Sequence, residues 1–178
     1  MKKLLNTFAA LGAALSLLVG CATINSLTPA QVAQIGTVIT QVSNEGALYA
    51  IQQDNRNAAY FKAVIPILDN FSNGTDLSPA ALQTALSNTT LGANQWVRLA
   101  ITAVVVAYDT SYSKYIAGQL TNSPAAQAWI VAVETGFKEA TGTALVKGAN
   151  PVAPTFVVNG KVDASVIKAR VNAATAKK

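Results

Sequence analysis

The sequence predicts a mainly α protein, a bundle of about five to six helices with a small β-hairpin near the C-terminus. Three observations predict it. Apolar residues recur at spacings of three and four through most of the chain. Ser/Thr-Pro dipeptides at Thr28-Pro29, Ser78-Pro79 and Ser123-Pro124 mark helix starts: the hydroxyl caps unpaired N–H groups, and proline has a helical φ and no N–H of its own to leave unpaired. Near the end, two β-rich runs flank Asn159-Gly160, the dipeptide favoured where both turn residues need positive φ.

The first helix is expected over Pro29 to Gln53, with Thr28 and Gln31 forming a capping box and Val32, Ile35, Ile39, Val42, Gly46 and Tyr49 forming one seam. Gly46 would let another helix come close or weaken this one. The second runs from about Arg56 to Phe71, with Phe61, Ile65, Leu68 and Phe71 inward and Pro66 as a kink; Ser72-Asn73-Gly74 ends it. A short helix from Pro79 to Ser87 turns Leu82 and Leu86 inward. The longest apolar stretch, Ala93 to Ala117, is expected at the centre of the bundle because it is apolar on every side. Its Val104-Val105-Val106 run also fits a strand. Arg98 and Asp109 bracket ten residues of it, too few to cross a bilayer. A fifth helix, Pro124 to Thr141, presents Trp129, Val133 and Phe137 at four-residue spacing. After the Pro-containing connector Ala149 to Pro154 come the hairpin and a last helix from Ala164 to about Ala174, capped by Asp163, with Val166, Ile167 and Val171 inward and Lys168 and Arg170 outward.

Composition bounds the function. Hydrophobic residues make up 51% and charged residues 12%, so the chain has enough apolar surface to fold as a domain. Histidine is absent, which removes the commonest metal ligand and general base. The single cysteine, Cys21, allows no disulfide within the chain. The net charge is +5, but six basic residues against the lone acid Asp163 lie from Lys147 onward, leaving a nearly neutral body and a basic tail. The expected partners are anionic lipid, cell wall or an envelope protein, and not nucleic acid.

The chain opens MKKLLNTFAALGAALSLLVGCAT. Lys2 and Lys3 precede an uncharged apolar run to Gly20, the layout of a secretory signal. Leu18-Val19-Gly20-Cys21 resembles the lipobox of bacterial lipoproteins. The resemblance implies cleavage between Gly20 and Cys21, a diacylglycerol thioether on Cys21, and an acyl chain such as palmitate on the new amine. Removing twenty residues from 178 leaves 158, enough for one domain with a core. The implied organisation is a cleaved signal over 1–20, a lipidated tether over 21–27, a helical domain over 28–142, and a connector, hairpin and basic helix over 143–178. Two or more chains anchor firmly where one binds marginally. In enterobacterial-type sorting an Asp after the cysteine directs inner-membrane retention, so Ala22 implies the outer membrane, facing the periplasm.

Several constellations have chemistry to offer. Ser111-Tyr112-Ser113-Lys114 has the S-x-x-K spacing of penicillin-binding proteins and serine β-lactamases, in which the lysine takes the serine's proton; the second motifs of those families do not occur. Asp69, Asn70, Asn73 and Asp76 cluster oxygens around Gly74 but lack EF-hand spacing, and read as a helix-ending turn. Tyr108, Tyr112 and Tyr115 share one helix face, with Trp96 about three turns earlier; such a face stacks on sugars or a partner, or lines a bundle interface. Lys168, Arg170, Lys177 and Lys178 offer a cell-wall or lipid contact. The terminal Lys177-Lys178 resembles the end of peptidoglycan-linked murein lipoproteins; a solvated basic tail is the alternative. The composite expectation is a non-catalytic, lipid-anchored structural or interaction module with no cofactor and no metal. The alternatives are a phage-encoded envelope lipoprotein acting in superinfection exclusion or lysis, a peptidoglycan-binding lipoprotein, and an S-x-x-K serine hydrolase.

Overall fold

A computed structural model describes residues 27–89, 93–117, 123–142 and 153–176. The lipobox with Gly20 and Cys21, the tether to residue 26, most of the connector, and Lys177 and Lys178 lie outside the described residues. Among the described residues there are six helices: α1 Pro29–Gln53, α2 Asn57–Ser72, α3 Pro79–Thr89, α4 Gln95–Tyr115, α5 Pro124–Gly142 and, after the strands β1 Val157–Val158 and β2 Lys161–Val162, α6 Ala164–Ala176. The chain is a helical bundle with a C-terminal hairpin, as its apolar spacing and turn residues predict. No helix of the described residues is long and apolar enough to cross a membrane.

The caps show why the elements begin where they do. Thr28 accepts from the Gln31 N–H at 3.2 Å while its own N–H donates to Gln31 Oε1 at 2.9 Å, a complete capping box. Ser78 caps α3 by accepting from Ala81 N at 3.3 Å, and Ser123 caps α5 by accepting from Ala125 N at 3.2 Å. Asn94 caps α4 through the N–H groups of Trp96 and Val97. In the hairpin Val157 pairs with Val162 and Val158 with Lys161, across Asn159 and Gly160 at φ 52° and 71°.

The packing differs from expectation in three places. The hub is α1, which packs against α5, α4, α6 and α2, whereas α4 rests on α1, α3 and α6 and barely meets α5. Helix α4 is apolar all round in sequence, yet Val105 and Val106 are only half-buried and Thr102 is exposed. Val104-Val105-Val106 is helical, because its neighbours extend the helix on both sides and packing overrides β-branched propensity. The buried stripe of α2 runs Phe61, Val64, Leu68, leaving Ile65 and Phe71 at its margin, and the helix continues through Pro66.

Small residues set the α1–α5 seam. A Cβ on Gly136 would stand 2.5 Å from Thr40 O and 2.6 Å from Ser43 Cβ, and Thr40 Oγ1 donates to Ala132 O at 3.1 Å. Gly46 performs the close-approach role on the α4 side, where its Cβ would lie 3.3 Å from the Ala100 Cα. Trp129, Phe61 and Phe137 fill the space beside that seam, fully buried. Trp129 Nε1 donates to Val32 O at 3.1 Å, which satisfies the indole's polar edge inside the core.

Candidate functional site

The tyrosine stripe is packed inside the molecule. Tyr108 is fully buried and its hydroxyl donates to Leu77 O at 2.5 Å. The Tyr112 ring is also buried, 5.9 Å from that of Tyr108 between centroids. Tyr115 is half-buried, and its hydroxyl donates to Thr175 Oγ1 on α6 at 2.6 Å. Trp96 meets Tyr49 edge-to-face at 5.6 Å. Spacing places the three tyrosines on one face, but the segment before α3 and helix α6 cover most of it, so it offers no open stacking platform. Burial, reinforced by Tyr112 and Asp76, pushes the Tyr108 hydroxyl well above its ordinary pKa.

Ser111 and Lys114 are not brought together. Ser111 is fully buried and its Oγ donates to Ala107 O at 2.9 Å, within its own helix. Lys114 is exposed and its Nζ donates to Asn172 Oδ1 at 2.7 Å, with its ammonium 5.0 Å from the Tyr115 centroid. A proton-accepting lysine needs to stand within hydrogen-bond reach of the serine, and this pair is committed elsewhere.

The oxygen cluster after α2 caps backbone. Ser72 Oγ and Asn73 Nδ2 both donate to Asp69 O at 2.8 Å, and Asp76 Oδ1 accepts from Ser78 N at 2.9 Å. The Ser78 N–H, then its hydroxyl, hold Asp76 below the usual carboxylate range. Asp163 is lowered in the same way by the Ser165 hydroxyl and N–H, and Asp54 by the Arg56 guanidinium. No group of three His, Cys, Asp or Glu with metal-holding geometry occurs among the described residues.

At the C-terminal corner Arg170 turns inward, where an outward cation was expected. Its Nη1 donates to Glu45 Oε2 at 3.0 Å and its Nη2 to Thr155 Oγ1, while the guanidinium covers the Phe156 ring at 5.5 Å. Phe156 is fully buried. The correction has a physical cause: stacking on an aromatic ring and pairing with Glu45 anchor Arg170 better than open water does. Lys168 is exposed. Beside this corner lies a cleft of about 330 Å³, with Tyr49, Gln52 and Pro154 on its walls.

An apolar cavity at one end of the bundle has no counterpart among the sequence motifs. A groove of about 610 Å³ opens at the end of the bundle where the N-terminal tether enters. It is lined by Leu27, Pro29, Val32, Ala33 and Gly36 at the start of α1, by Tyr115 and Ile116 at the end of α4, and by Ser123, Pro124, Ala125 and Ala128 at the start of α5. None of these side chains is charged. Of the polar ones, Tyr115 is bonded to Thr175 and Ser123 caps α5. The available signal was the placing of Pro29, Ala33 and Ala128, which are exposed, at positions where a solvated helix usually carries charge.

A second feature missed by sequence reading is structural. Asn57 is buried, donates to Ala50 O at 2.7 Å, and accepts from Asn94 Nδ2 at 2.7 Å. This chain ties the end of α1, the start of α2 and the cap of α4 through one polar link.

Comparison with protein-family models, with curated proteins and with solved structures finds no match to this chain.

Proposed function

We propose that this chain is a lipid-anchored module of the bacterial envelope, held by acylated Cys21 and acting through protein or cell-wall contacts rather than catalysis. The observation that carries the reading is the lipobox-like Leu18-Val19-Gly20-Cys21 behind a basic, then apolar, leader. The burial of Ser111 and the engagement of Lys114 with Asn172 support the non-catalytic half. The uncharged groove at the end nearest the tether supports an orientation in which that end faces the bilayer. The outer membrane, implied by Ala22, is the proposed location.

Metabolic labelling with an alkyne fatty acid tests the anchor. The wild-type chain should carry the label and fractionate with membranes. Cys21→Ser should lose both the label and the membrane association. An unlabelled wild-type product, or a Cys21→Ser variant that fractionates unchanged, removes the basis of the reading.

A further inference from the structure

We propose that the uncharged groove between the starts of α1 and α5 receives one fatty acyl chain carried by Cys21 of the same molecule. The inference rests on the lipid-anchored reading and assigns a second resting place to one of the chains that reading supplies.

Four observations carry it. The cavity measures about 610 Å³, within the range of roughly 300–1,000 Å³ typical of clefts that hold small ligands. Its walls are aliphatic or aromatic, and its two polar side chains already have partners in the chain. It therefore offers no charged anchor for a headgroup, carboxylate or peptide, and favours an occupant that is apolar along its length. Leu27 is itself part of the wall. Cys21 precedes it by six residues, a reach of about 20 Å when extended, so an acyl chain on Cys21 is presented to the groove at an effective concentration of order millimolar. Finally, Ala33 of α1 and Ala128 of α5 both line the cavity and are exposed, and small residues there keep open a space that larger side chains would fill.

The chemistry is binding alone, with no bond made or broken at the groove. The bilayer competes for the same chain, so occupancy is highest when the domain stands away from a membrane or spares one of its several chains.

The test uses the full chain in cells fed a palmitate analogue carrying both an alkyne and a photoreactive diazirine. After irradiation, the purified monomer is digested and crosslinked peptides are identified by mass spectrometry. The expected result is an intramolecular crosslink from Cys21 to peptides containing Ala33 or Ala128. The crosslink should be lost in Ala128→Phe, and in Ala33→Phe as an independent block, while Val131→Phe, at an exposed site on the same helix, retains it. Circular dichroism checks that each variant is folded; the substituted positions are exposed. Labelled Cys21 crosslinked only to phospholipid, to another protein or to a second copy overturns the groove assignment and leaves the anchor standing. Absence of label on Cys21 overturns both.

Discussion

Gly136 of α5 sits directly over the Thr40 carbonyl of α1: a Cβ at Gly136 would stand 2.5 Å from Thr40 O and 2.9 Å from Asn44 N. Real side chains do not reach so close to rigid backbone, so α1 and α5 are held at a separation that only glycine permits. Gly136→Ala is therefore expected to push the helices apart. Overpacking of this kind costs about 1–3 kcal/mol, even though alanine is the better helix former by about 1 kcal/mol. Gly142, the last residue of the same helix, has nothing within 4 Å of its absent Cβ. Gly142→Ala should stay within about 0.5 kcal/mol of wild type. Urea unfolding of the two variants measures the contrast, and equal stabilities would show that the seam relaxes freely.

The Asn57–Asn94 link predicts coupling between distant segments. Asn57→Ala leaves Asn94 Nδ2 without its partner and takes one of two donors from Ala50 O, which keeps the Asp54 N–H, at a cost of about 1–3 kcal/mol. Asn94→Ala removes the α4 cap as well, about 1 kcal/mol. The double variant should be less destabilised than the sum of the singles, by at least about 0.5 kcal/mol. A double-mutant cycle from denaturant unfolding reads that difference, and strict additivity would mean that the two amides act independently.

Arg170 predicts how the C-terminal unit is fastened. The side chains of Arg170 and Glu45 are 26% and 40% exposed, so their ion pair is worth at most about 1 kcal/mol and weakens with salt. Local opening is the sharper readout. Arg170→Ala should speed hydrogen exchange at Val157 and Asp163, whose N–H groups donate to Pro154 O and Phe156 O. Glu45→Gln should produce a smaller change in the same direction. Unchanged exchange in both variants would mean that the hairpin and α6 dock without this contact.

What was legible in the sequence follows from how local each signal is. Thr28, Ser78, Ser123 and Asp163 cap within three residues of themselves, and Asn159-Gly160 makes its turn alone, so helix starts and the hairpin were readable. Burial rank was not. Helix α4 has the most uniformly apolar run, yet α1 became the hub because Gly46 and Gly136 let two neighbours approach it closely, and close approach is a property of pairs. The tyrosine spacing told which face they share and could not tell what covers it; Thr175 lies sixty positions from Tyr115. Arg170 read as a surface cation because Glu45 is 125 residues away. The groove is assembled from three separate helix ends, and no one of them carries a motif.

Tyr108 predicts an alkaline limb in stability. Its folded pKa lies above the ordinary tyrosine value of about 10, chiefly through burial. The fold therefore favours the protonated hydroxyl, and this contribution is fully present below about pH 10 and is lost as pH rises through the folded value. Stability measured by urea unfolding should fall above about pH 10. Tyr108→Phe should flatten that fall while lowering stability near pH 8 by about 1 kcal/mol, because Leu77 O loses its donor. An equally steep alkaline fall in Tyr108→Phe would assign it to other groups.

Ser111 predicts silence toward serine-directed reagents. An attacking Oγ needs a free approach path and a base to take its proton. Here the hydroxyl is fully buried and spends its hydrogen on Ala107 O at 2.9 Å, while the ammonium of Lys114 lies outside the helix on Asn172. Freeing the pair would require both side chains to leave those partners and the buried face of the helix to open toward solvent. A fluorophosphonate or fluorescent penicillin should therefore leave the native chain unlabelled, and Ser111→Ala and Lys114→Ala should give the same blank. Specific labelling of wild type that disappears in Ser111→Ala would show that α4 opens to expose an activated serine, and would transfer the chain to the hydrolase class.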